Sequence, residues 1–118
     1  MPLLKMQVST PAPVTAEQQA AVLAAASKIV ATATGKPEAY VMVSLDPGAF
    51  SMSGQPAPAA AYLDVRAIGG LTPEVNGKLA KALCDLLRKE FGIPGDCVFI
   101  SFIDVPATHW AWKGQTLG

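Results

Sequence analysis

The sequence predicts an α/β (α+β) fold. A duplicated β-α-β unit forms a four-stranded mixed sheet with two helices on one face. Three observations carry this. The chain matches itself at an offset of 57 positions: Thr15 with Thr72, Glu17 with Glu74, Gly35 with Gly92, Pro37 with Pro94. Two apolar stripes recur at helical spacing, Val22, Ala26, Ile29 and Val30 in the first half and Leu79, Leu83, Leu86 and Leu87 in the second. Strand-like runs flank each stripe, and they map onto each other too, Val41 onto Val98, Val43 onto Ile100 and Ser44 onto Ser101.

Taken in order, the first element is a strand near 2–8. A helix follows near 14–33. Thr15 is placed to cap it, with Gln18 three residues on completing a capping box. Gly35 stops it, and Pro37 keeps it from resuming. A second strand lies near 39–46. Residues 47–58, rich in Pro, Gly and Ser, form a loop that joins the two units. The second unit repeats the plan: a strand near 60–67, and a helix near 73–91 with Thr72 as cap and Pro73 at its first turn. Gly92 and Pro94 end that helix, and a strand runs near 96–103. Residues 105–118 form a tail with room for a short strand. Two crossovers of the same hand put both helices on one face of the sheet.

The whole chain, 1–118, reads as one domain with pseudo-repeats about 1–57 and 58–118. Net charge is zero and the pI near 6.5, so no basic surface points to nucleic acid or to an anionic membrane. No apolar run reaches transmembrane length, and Lys5 and Gln7 interrupt any leader-like stretch at the start. Cys84 and Cys97 fit no CxxC or zinc pattern and read as free thiols in a reducing cytoplasm. Charged residues make up 15% of the chain, against about 25% in ordinary domains. The run Cys97-Val98-Phe99-Ile100-Ser101-Phe102-Ile103 is apolar on both faces, as is much of Tyr40 to Leu45. A sheet with one wet face would alternate. The open face is therefore expected to be buried by other copies of the chain in a closed ring.

Pro2 is the most informative single residue. Methionine aminopeptidases remove Met1 before a small residue, which would leave Pro2 as a free secondary amine at the head of a strand. A terminus tied into a sheet is fixed rather than frayed. Burial of such an amine disfavours its charged form and makes a neutral base available near neutral pH.

Pro2, the duplicated unit, Thr34-Gly35-Lys36-Pro37, Ala67-Ile68-Gly69-Gly70 and the tail Trp110-Ala111-Trp112-Lys113-Gly114-Gln115-Thr116 together resemble the macrophage migration inhibitory factor family of the tautomerase superfamily. The resemblance covers essentially the whole chain. It implies a homotrimer whose sheets line a central channel, with sites at subunit boundaries. It also implies a keto–enol tautomerase of phenylpyruvate or dopachrome type, acting on a small aromatic α-keto acid without metal or cofactor. Pro2 matches the catalytic proline and Lys36 the lysine beside it. Ile68 matches a residue whose backbone N–H reaches substrate. Phe99 and Ser101 stand where many members place a Tyr and an Asn from the neighbouring subunit, and Trp110 and Trp112 fall in the segment that walls the pocket. Two departures stand out. Phe99 has no hydroxyl, and Ala60-Ala61-Tyr62-Leu63 replaces the vertebrate CxxC, which rules out thiol–disulfide chemistry by that motif. Neither nucleic acid nor membrane enters as a partner. The implied location is the cytoplasm, or secretion by a non-classical route.

Plainer roles stand beside these. A lysine after a helix C-terminus is favoured by the dipole alone. On strand evidence alone Phe99 reads as plain core, and the two tryptophans read equally as pocket wall or subunit packing. His109 reads as a surface residue, and Asp64 with Arg66 as an exposed ion pair on one face of a strand. A cytokine-like trimer without catalysis is the alternative for the whole molecule, with decarboxylation the alternative chemistry.

Overall fold

The computed structural model describes residues 1–118. Its elements are β1 (Leu3–Ser9), α1 (Ala16–Thr34), β2 (Met42–Pro47), β3 (Ser51–Met52), β4 (Gln55–Pro56), β5 (Ala60–Ala67), α2 (Pro73–Phe91), β6 (Val98–Asp104), β7 (Ala111–Trp112) and β8 (Gln115–Thr116). The main sheet runs β2-β1-β5-β6. β1 is parallel to β2 and β5 is parallel to β6, while β1 and β5 are antiparallel at the centre, with Met6 opposite Leu63. Two parallel β-α-β units thus meet along an antiparallel seam, which makes the sheet mixed.

The helices begin and end where their local chemistry dictates. The Thr15 hydroxyl accepts the Gln18 N–H at 3.0 Å, and the Gln18 amide oxygen accepts the Thr15 N–H at 3.0 Å. Two of the orphan donors at the helix start are thereby satisfied. Thr72 caps α2 by accepting the Val75 N–H at 3.2 Å. Gly35 and Gly92 end the helices at φ of 70° and 67°, a conformation that a side chain would strain.

One face of the sheet carries the core. Leu4, Met6, Val8, Leu63 and Val65 meet Val22, Ala26 and Val30 of α1 and Leu79, Leu83 and Leu87 of α2. The opposite face has no cover within the chain. Met42 is 68% exposed and Phe99 65%, and Tyr62 and Ile103 are also exposed there.

Two strands start later than the sequence pattern predicts. Residues 38–40 and 95–97 are single 3-10 turns, so Tyr40 and Cys97 lie before β2 and β6 rather than within them. Pro37 and Pro94 set this up: their carbonyls accept the N–H groups of Tyr40 and Cys97 at 3.1 and 3.0 Å, and the chain extends only afterwards. The loop 47–58 also contains a hairpin, β3–β4, turning at Ser53-Gly54 with φ of 53° and 74°. The tail makes a second one, β7–β8, turning at Lys113-Gly114 with φ of 54° and 77°. Two-residue turns with both residues left-handed match the twist of short strands. The duplication therefore extends past the sheet: each unit is followed by a hairpin of the same kind. Cys84 and Cys97 are free and partly buried, and burial pushes the Cys84 thiol up. No helix is long and apolar enough to cross a membrane.

Candidate active site

Pro2 sits at the head of β1, its ring fully buried. Its carbonyl accepts the Met42 N–H at 3.1 Å, which ties the chain terminus to β2 as well as to β5. Beside it lies a cavity of about 350 Å³ lined almost wholly by apolar groups, among them Pro2, Leu3, Tyr40, Met42, Trp110 and Trp112. Tyr40 and Trp112 meet edge to face, their ring centres 5.6 Å apart at 87°. The Lys113 ammonium lies 4.5 Å over the Trp112 ring. The tail hairpin is held to its stem by the Leu117 N–H, which donates to the Trp110 carbonyl at 3.0 Å. Aromatic side chains give the cavity large, rigid apolar walls.

Lys36 approaches from the end of α1, one residue past Gly35. Its ammonium donates to the Ile68 carbonyl at 2.8 Å and has no carboxylate partner. Ile68 follows β5 directly. Leu3 pairs with Arg66 in the antiparallel register, so the next steps set Pro2 against Ala67 and the chain terminus against Ile68. The cation and the terminal amine thus converge on one end of the sheet. Burial first, and the Lys36 charge second, hold the terminal ammonium of Met1 below the usual α-amino range.

A larger cavity, about 460 Å³, lies at the far end of β1 among Thr10, Pro13, Asp46 and Gly48. Asp46 is its one ionisable side chain. It pairs no base with a cation, so size does not decide between the two ends; chemistry favours the Pro2 end.

The remaining sequence candidates fall into three groups. Trp110 and Trp112 line the Pro2 cavity, and Ile68 reaches Lys36 through its carbonyl. Phe99 and Ser101 lie elsewhere in the same chain. Phe99 pairs with Tyr62, and Tyr62 with Gln7, five residues beyond Pro2. That is roughly 16 Å along the strand. Both project from the uncovered face, where the Ser101 and Tyr62 hydroxyls share a hydrogen bond of 2.6 Å. Arg66 and Asp64 form the exposed ion pair that strand alternation predicts, at 3.2 Å, and His109 is exposed on a 3-10 turn. Tyr40 is an aromatic residue of the cavity that the sequence pattern does not single out as part of a site. Its nearest cue is its place three residues after Pro37, at the end of the turn that delivers it to Trp112.

The chain matches the family model described as macrophage migration inhibitory factor over residues 1–118. It is 37% identical over 98 residues to a macrophage migration inhibitory factor homolog of Brugia malayi, covering 83% of this chain and 85% of that protein. Among solved structures, the homologue from Prochlorococcus marinus superposes with a TM-score of 0.89 at 36% identity, over 98% of this chain and 99% of that one. The Toxoplasma gondii macrophage migration inhibitory factor gives 0.89 at 32%, over 97% and 98%. The chain belongs to the macrophage migration inhibitory factor family.

Proposed function

We propose that the protein is a cofactor-independent keto–enol tautomerase acting on a small aromatic α-keto acid, with Pro2 as general base and acid. The observation that carries this reading is the pairing of a terminal amine of lowered pKa with the carboxylate-free cation Lys36 beside an apolar, aromatic-walled cavity. Removal of Met1 would move the amine onto Pro2, which is fully buried, and burial would disfavour its charged form. The neutral amine takes a proton from the carbon next to the substrate carbonyl. The electron pair of that C–H bond moves to the carbonyl oxygen as an enolate, and the protonated amine returns its proton to the oxygen. Lys36 stabilises the developing negative charge or holds the carboxylate. Tyr40, Trp110 and Trp112 flank the aryl group. Arg66 is committed to Asp64, which argues against chemistry that needs an additional arginine.

The same reading calls for a homotrimer. Met42, Tyr62, Phe99 and Ile103 on the uncovered face supply apolar area for other copies. Phe99 and Ser101, out of reach of Pro2 in their own chain, would enter a neighbour's site. Sedimentation equilibrium is expected to give three times the 12.2 kDa chain mass. Pro2→Gly, which keeps a terminal amine but makes it primary and mobile, is expected to lower phenylpyruvate tautomerisation by roughly 10²–10⁴-fold with the fold intact. Unchanged turnover in that variant would remove Pro2 from the mechanism.

A further inference from the structure

β5 ends in Ala67-Ile68-Gly69-Gly70, and the two glycines are both left-handed, at φ of 74° and 87°. Their surroundings differ. A Cβ built on Gly69 would meet nothing within 4 Å. A Cβ built on Gly70 would come within 3.2 Å of Lys36 Cε and 3.8 Å of Lys36 Nζ. The end of the Lys36 stem therefore lies over Gly70 so closely that an added Cβ would require it to give by a few tenths of an ångström. From there its ammonium reaches back to the Ile68 carbonyl two residues earlier, at 2.8 Å. The bare backbone of Gly70 thus lies beneath the end of the lysine, and the Ile68 carbonyl accepts its ammonium.

We propose that Gly70 is a positioning residue for Lys36: the missing side chain seats the lysine stem on the Ile68-Gly69-Gly70 turn and fixes its ammonium beside the chain terminus. This rests on the Pro2 reading for its catalytic meaning, but not for its geometry. A flexible lysine has several rotamers in which its charge points to solvent. The turn selects one. The flexible end of Lys36, not the backbone, is what yields when a Cβ is added, so the consequence falls on the ammonium's position.

The two glycines provide their own control. Gly69→Ala and Gly70→Ala each place alanine in left-handed backbone and carry a similar strain, but only the second meets Lys36. The pKa of the Pro2 amine, read by NMR titration of the processed protein, reports on the Lys36 charge without requiring turnover. It is expected to rise in Gly70→Ala and stay at the wild-type value in Gly69→Ala. In a Lys36→Ala background, adding Gly70→Ala is expected to shift it no further. With an active enzyme, KM for phenylpyruvate should rise about tenfold in Gly70→Ala alone, on the scale of one charge-assisted contact. If alanine at 70 prevents folding, Gly70→Asn and Gly69→Asn repeat the comparison with a residue that tolerates left-handed backbone. Equal pKa values in the two glycine variants, or a further shift without Lys36, would overturn the proposal. A wild-type protein that lacks tautomerase activity yet shows the Gly70-specific shift would instead retire the Pro2 mechanism and leave the positioning role standing.

Discussion

Lys36 and Ile93 occupy the same place in the two β-α-β units, one residue beyond the glycine that ends each helix, and their fates differ. Ile93 is fully buried and part of the core. Lys36 is partly buried, turns away from the core and ends on the Ile68 carbonyl. The strands they serve differ as well. The first unit opens at Pro2, beside the chain terminus, whereas the equivalent position in the second is Ala59, inside the chain. Caps, glycine stops, prolines, stripes and trailing hairpins are shared, and they account for the scaffold. The proposed chemistry gathers where the pseudo-symmetry breaks: a terminus and a cation at one end of the sheet, an isoleucine and a continuous backbone at the other.

Exchanging those two residues tests the comparison. Ile93→Lys would put an unpaired charge in a fully buried site, and is expected to destabilise the protein by about 3–5 kcal/mol in urea unfolding. A cost below about 1 kcal/mol would mean that the second unit tolerates a cation there, and that the difference between the units is not enforced by packing. Lys36→Ile is expected to change stability by less than about 1 kcal/mol and to lower activity by roughly 10–100-fold.

The same variant separates the two causes that lower the terminal amine's pKa. Burial and Lys36 both disfavour the protonated form, so the neutral base is present at lower pH than an ordinary terminus allows. In the protein that has lost Met1 the same two causes would act on the Pro2 amine, and activity is expected to be lost as pH falls through the lowered pKa of that amine. Lys36→Ile removes the second cause, and the acid limb should move to higher pH. An unmoved limb would assign the whole shift to burial.

The smallest expected effect concerns the second unit's own contribution. Phe99, which shares its strand and its face with Ser101, lacks a hydroxyl. Phe99→Tyr is expected to favour hydroxyphenyl over phenyl substrates by about 0.5–1.5 kcal/mol, the scale of one neutral hydrogen bond. An unchanged ratio would keep residue 99 out of the neighbour's site.

The parts of this fold visible in the sequence are those set by local rules. Thr15 with Gln18, Thr72 with Pro73, and the two glycine stops each act within a turn of chain, and the stripes follow from helical period alone. The strand starts are less visible, because Pro37 and Pro94 spend three residues on a 3-10 turn before the chain extends. Ser53-Gly54 carries a hairpin signal of the same kind as Lys113-Gly114, but the surrounding Pro, Gly and Ser mask it. Site geometry is the least visible. Nothing near Tyr40 announces an edge-to-face contact with Trp112, and nothing near Lys36 names the Ile68 carbonyl as its acceptor. Both contacts join segments distant in sequence and exist only once the sheet has set its register.

If the amine of Pro2 does the chemistry, Met1 must be gone from the active protein. While Met1 remains, the Pro2 nitrogen is an amide without a basic lone pair. Preparations with graded Met1 retention, quantified by intact mass, should show tautomerase activity in proportion to the fraction that lacks Met1, with none from the retained form. Full activity in a preparation that keeps Met1 would contradict the account.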